Sequence, residues 1–111
     1  MLLSVGCVGP VDPPAPSVAQ VARELGCSGL KTQHAPDLEV FVSEQGECRF
    51  ASDRVRIRTF RNNQFRKDWL VEVDIFRAHF CVKDRTIIWG DKLPTADRIQ
   101  AVVGGRVQRN D

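Results

Sequence analysis

The sequence predicts an α+β domain: an antiparallel sheet of four or five strands with helices packed on one face, in the order helix, three strands, helix, one or two strands, helix. Three observations point there. Apolar residues recur at helical spacing in separate segments near the start, middle and end of the chain. Between them they alternate at the period of a half-buried strand. Short turn signals such as Glu44-Gln45-Gly46, rather than long polar linkers, separate the strand segments, which favours antiparallel neighbours.

Residues 1–16 are set apart from this domain. Four prolines fall within VGPVDPPAP, and they favour an extended, semi-rigid tether over a helix. The domain proper is expected over residues 17–107, with 108–111 as a tail. It opens at Ser17, because Ser17-Val18-Ala19-Gln20 has the form of a capping box. Val18, Val21, Ala22 and Leu25 then build one apolar helical face, and Gly26 is a suitable stop.

A loop is expected over residues 28–36. Leu38, Val40 and Val42 alternate as a strand, Glu44-Gln45-Gly46 is the expected hairpin turn, and Cys48 and Phe50 continue the inward alternation on the return strand. Ser52-Asp53 turns the chain again. In DRVRIRTF, Val55, Ile57 and Thr59 take one face and Arg54, Arg56 and Arg58 the other, as in a strand whose basic side is wet. Asn62 or Asn63 caps the next helix, where Phe65, Trp69, Val73, Phe76 and Phe80 form a stripe. HFCV and RTIIWG suit a hairpin turning at Lys83-Asp84. Pro94 and Thr95 open a last helix that ends at Gly104-Gly105.

Composition narrows the functional classes. The hydrophobic share of 42% and charged share of 27% suit an ordinary folded domain. No run of ~18 apolar residues is present to span a membrane. Residues 1–53 hold three basic and seven acidic side chains, a net of −4, and residues 54–111 hold thirteen and seven, a net of +6. The basic excess centres on Arg54, Arg56, Arg58, Arg61, Arg66 and Lys67, an anion-binding patch if these side chains converge. Only Phe60 interleaves with the strand arginines and the chain has no tyrosine, so the patch lacks a base-stacking platform.

Four cysteines fit an oxidising compartment better than the cytosol. Cys27 follows the first helix and Cys48 points inward from a strand, so a bridge between them would staple helix to sheet. Pairing of Cys81 with either one is the alternative, and a buried free thiol the simplest state for Cys81. Cys27, Cys48, Cys81, His34 and His79 lack zinc-ligand spacing. His79 and Cys81 share a strand face without making a nucleophilic dyad, and Asp68 with Glu72 suits a solvated helix face better than acid–base work. No phosphate-loop, GxSxG or HExxH motif occurs. The expectation is therefore no enzyme, no cofactor and no metal.

The segments ELGCSGL, EQGECRF, RVRIRTFRNNQFRKDWL, FCVKDRTIIWGD and VVGGRV together resemble small secreted or lipid-anchored proteins of actinobacteria and their phages, across approximately residues 17–107. That resemblance implies a Cys27–Cys48 disulfide and transfers no catalytic residue. It also gives Ser4-Val5-Gly6-Cys7 a meaning, since a lipobox ends in a small residue, Gly or Ala, and the lipidated cysteine. Six residues without Lys or Arg precede Cys7, so the expectation is a lipobox remnant whose leader lies upstream, against a cysteine that is incidental in a tail. The expected function is a non-enzymatic module of the cell envelope, outside the membrane and anchored or secreted. It would bind a protein or envelope component and, if phage-borne, act in superinfection exclusion. The alternative is a cytoplasmic nucleic-acid or polyanion binder, with the N-terminus complete as written, using the patch from Arg54 to Lys67.

Overall fold

A computed structural model describes residues 16–34, 42–73 and 77–110. Cys7, the proline tether, Phe76 and most of the strand expected at Leu38–Val42 lie outside the described residues. The elements run α1 (Val18–Leu25), β1 (Ser28–His34), β2 (Val42–Phe50), β3 (Asp53–Phe60), α2 (Asn63–Glu72), β4 (Ala78–Lys83), β5 (Thr86–Gly90), α3 (Thr95–Val103) and β6 (Arg106–Asn110). All strands pair antiparallel in one six-stranded sheet of order β1-β2-β3-β5-β4-β6. The class is α+β as expected, and the strand count is six rather than four or five.

Local chemistry accounts for α1. Ser17 Oγ accepts from the Gln20 backbone N–H and Gln20 Oε1 accepts from the Ser17 N–H, each at 3.0 Å, and Gly26 closes the helix at φ 77°. Glu44 reaches from β2 to accept the Val18 N–H at 2.9 Å, so a carboxylate sits at the positive end of the helix. The apolar face of α1 packs with Ile99 and Val103 of α3 over Cys48, Val55, Ile57, Cys81 and Ile88.

Both faces of the sheet are covered, which corrects the one-sided packing expected. Helix α2 lies on the side opposite α1 and α3, where Trp69 and Leu70 meet Val42, Phe60, Phe80, Val82 and Ile87. Phe80 is a strand residue rather than the end of a helical stripe. It falls within reach of Trp69, ring centroids 5.7 Å apart, because β4 carries it under the helix. The wet basic face expected on β3 is consequently half roofed.

Two further strands were expected as other structure. The loop expected over residues 28–36 contains β1, whose pairing with β2 is broken between Ser28 and Lys31. The tail expected from residue 108 belongs to β6, which pairs with β4 from Ala78 to Val82. The turn expected at Glu44-Gln45-Gly46 is instead the interior of β2. Gly46 is needed there because a side chain at that position would collide with Val18, so the glycine lets α1 seat closely on the sheet.

Cys27 and Cys48 are joined in a disulfide with their Cα atoms 5.8 Å apart. Closing a loop of this length stabilises a fold by roughly 3 kcal/mol in the chain-entropy model. Asp53 provides a second staple. It is 3% exposed; its Oδ2 accepts from Thr95 Oγ1 at 2.6 Å and the Lys92 N–H at 2.9 Å, and its Oδ1 accepts from the Arg54 N–H at 2.8 Å. The start of β3 is thereby tied to the first turn of α3, which has no side-chain cap at Pro94. Burial pushes the Asp53 carboxyl up, but the hydrogen bonds from Thr95, Lys92, Arg54 and Asp91 outweigh it and hold the group below the usual carboxylate range.

Such a group stabilises the fold above its unfolded pKa, and the contribution is lost as pH falls through the lower folded value. Asp53→Asn should therefore cost about 1–3 kcal/mol at pH 7 in urea denaturation, with the gap to the native protein narrowing on acidification. The β2–β3 turn affords a test of opposite sign. Ala51 and Ser52 sit at φ 52° and 61°, in the left-handed region that Asn-Gly favours, so Ala51→Asn with Ser52→Gly should raise unfolding free energy by about 1–2 kcal/mol.

Candidate functional site

The uncovered polar ground lies on the α2 side of the sheet, across β1, β2 and β3. Strand alternation and register bring Lys31 opposite Glu47, Gln33 opposite Gln45, Glu47 opposite Arg56 and Gln45 opposite Arg58. These six side chains line a shallow depression of about 270 Å³. Gln45 Nε2 donates to Gln33 Oε1 at 2.7 Å, a cross-strand bond that fixes both amides. Four of the six side chains are charged and two are amides, an arrangement suited to recognising polar groups by hydrogen bonding.

The arginines of β3 are each engaged. Arg56 reaches Asp91 at 2.7 Å and Arg54 reaches the other carboxylate oxygen of Asp91 at 3.3 Å, with Glu47 a further 3.9 Å contact of Arg54. The hydrogen bond from Arg56, reinforced by the charges of Arg56 and Arg54 against a smaller burial effect, holds Asp91 below the usual carboxylate range. Arg58 lies with its guanidinium carbon 5.1 Å from the Trp69 ring centroid and 5.7 Å from that of Trp89. Trp69 and Trp89 pack with their rings tilted by 40° and centroids 5.4 Å apart, and both meet Phe80 edge-on. The cation thus closes an aromatic cluster that would otherwise end in solvent.

The six residues of the expected basic patch do not converge. Arg54, Arg56 and Arg58 lie on the sheet face. Arg61 is exposed just after β3, with its carbonyl accepting from Arg85 at 2.6 Å. Arg66 is on the buried face of α2 itself, and Lys67 flanks a groove shared with Arg106 and Gln108 of β6. Sequence proximity suggested one patch, but α2 separates its two halves. Lys31, Gln33 and Gln45 were not anticipated, because no strand was expected at β1 and a turn was expected at Gly46. Asp91, the counter-ion of two arginines, had no local signal, since it comes from the far end of β5. Trp89 is half-buried within the aromatic cluster.

The thiols and acids have plain surroundings. Cys81 is buried and reduced, with its Sγ 3.3 Å from the Gly104 carbonyl. Burial pushes the Cys81 thiol up to about 11, against a weaker opposing pull from Lys83, so it stays protonated at neutral pH. Asp68 accepts from Gln64 at 2.8 Å on the outer side of α2. Among the described residues no three His, Cys, Asp or Glu side chains converge as a metal site, and no helix is long and apolar enough to cross a membrane. Comparisons of the chain with protein-family models, with curated proteins and with solved structures found no match.

Alkylation mapped by mass spectrometry checks the cysteine assignments. Cys81 should resist iodoacetamide in the native protein and react once denatured, whereas Cys27 and Cys48 should react only after reduction.

Proposed function

We propose that this chain is a non-enzymatic, extracytoplasmic binding module of the cell envelope, which meets its partner with the polar sheet face of β1, β2 and β3. The observation that carries the reading is the Cys27–Cys48 disulfide, a type of bond that persists in oxidising compartments and is rare in the cytosol. It crosslinks the strand that supplies Gln45 and Glu47, so the binding face is built on a part of the sheet that oxidation stabilises. The segment ahead of Ser17 acts as the tether, with Cys7 as the lipidated residue. The resemblance to lipid-anchored proteins of actinobacteria and their phages supports that placement, and for a phage-borne gene the role is exclusion of superinfecting phage.

The alternative of a nucleic-acid binder draws less support from the geometry. Arg54 and Arg56 share Asp91, and Arg58 is stacked on two tryptophans, so the strand arginines are committed within the fold. A phosphate backbone would have to compete with those contacts.

Expression from the gene with its natural upstream DNA, in an actinobacterial host, tests the proposal. The protein should fractionate with the envelope, incorporate labelled palmitate at Cys7, be cut by protease added outside the cells, and carry oxidised Cys27 and Cys48. Recovery in the cytosol with both thiols reduced would overturn it.

A further inference from the structure

A second site, independent of the sheet face, lies on the other flank of α2. Arg66 is only 9% exposed, yet its Nε finds no hydrogen-bond acceptor among the described residues. A buried guanidinium donor left unmade is costly, and here the cost is raised by a second cation. Arg66 and Arg106 border the same shallow groove of about 510 Å³, with Asn63, Lys83, Asp84 and Gly105 completing its rim. The burial of Arg66 and, after it, the repulsion from Arg106 disfavour its charged form, and Asp84 offsets them only in part.

The fold builds this groove specifically. Arg106 pairs with Val82 across β6 and β4, which points both toward the α2 side of the sheet. At Gly105 the backbone has φ 85° and runs so close to the Val82 carbonyl that a side chain would clash, so β6 begins tight against β4 and Arg106 follows directly. Asn63, the first residue of the ten-residue α2, contributes the positive end of a helix to the same groove. Lys83 lends only its stem, because its Nζ reaches Glu24 at 3.3 Å. Two guanidinium groups and a helix N-terminus therefore outweigh the single carboxylate of Asp84.

We propose that this groove binds a phosphate-class oxyanion, with Arg66 Nε and the Arg106 guanidinium donating to it beside the N-terminal turn of α2. A tetrahedral anion matches what the groove lacks: it supplies acceptors for the orphaned Nε and separates two like charges with a negative one. The phosphate arrives either free or as an ester on a larger molecule, and the chemistry at the arginines is the same.

Titration of the full chain with inorganic phosphate, glycerol 3-phosphate and acetate at matched ionic strength, followed by amide NMR, tests the site. Saturable shifts confined to residues around Asn63, Arg66 and Gly105 are expected with both phosphates and not with acetate. Tighter binding of the ester or of inorganic phosphate identifies the source, and either supports the site. Arg106→Gln, at an exposed position, should weaken phosphate binding by at least about tenfold, while Arg98→Gln on α3 should leave it unchanged. Arg66→Met should remove phosphate binding while melting, in phosphate-free buffer, no lower than the native protein. Unsaturable shifts, equal response to acetate, or unaltered affinity in Arg106→Gln would overturn the proposal.

Discussion

The constraint on which the structure depends is the two-sided burial of the central strands β3 and β5. Val55, Ile57 and Ile88 must meet α1 and α3, while Phe60 and Ile87 meet α2. A strand covered on both faces cannot keep a polar side, yet β3 alternates with arginine as though it had one. The conflict is resolved along its length. Toward Phe60 the strand is roofed and apolar, and toward Arg54 it is open and charged. Arg58 stands at the border, where its cation rests on Trp69 and Trp89.

Charge is distributed by the same division. The excess of cations in residues 54–111 is absorbed on the sheet face by Asp91 and Glu47 and on the α3 side by the pairing of Arg109 with Asp97 at 2.6 Å. These pairs are exposed and individually contribute little stability. A positive excess remains both on the sheet face, where Arg54, Arg56, Arg58 and Lys31 meet Asp91 and Glu47, and at the groove where α2 meets β6, with Arg66 and Arg106 against Asp84. A net charge of +2 for the whole chain conceals that clustering.

What was legible in the sequence had local causes. The capping box at Ser17, the glycine stop at Gly26, the alternation of β3 and the Asn62 cap of α2 each depend on residues within a few positions of one another, and the sequence order shows them directly. The misread elements depend on tertiary partners. SGLKTQH and RVQRN carry too few apolar residues to signal strands, because β1 and β6 are the edges of the sheet and one side of each meets solvent. Gly46 looks like a turn residue until Val18 is placed above it. Phe80 fits a helical stripe at the right interval because β4 returns it to the same aromatic cluster from the opposite direction. The polar sheet face was hidden for the same reason, since half of it comes from those edge and mid-strand residues.

The position of the disulfide sets a path for mechanical load. A pull on the chain ahead of Pro16, of the kind an anchored protein experiences, enters α1 first and then crosses from Cys27 to Cys48 through covalent bonds. Everything between those two cysteines, including the whole of β1, lies inside the closed loop and bears no tension. Edge strands are ordinarily the first to be peeled from a sheet under force. Here the edge that carries Lys31 and Gln33 is sheltered together with residues 42–47 of β2, and the load enters the sheet only at residues 48–50, which pair with residues 53–55 of β3.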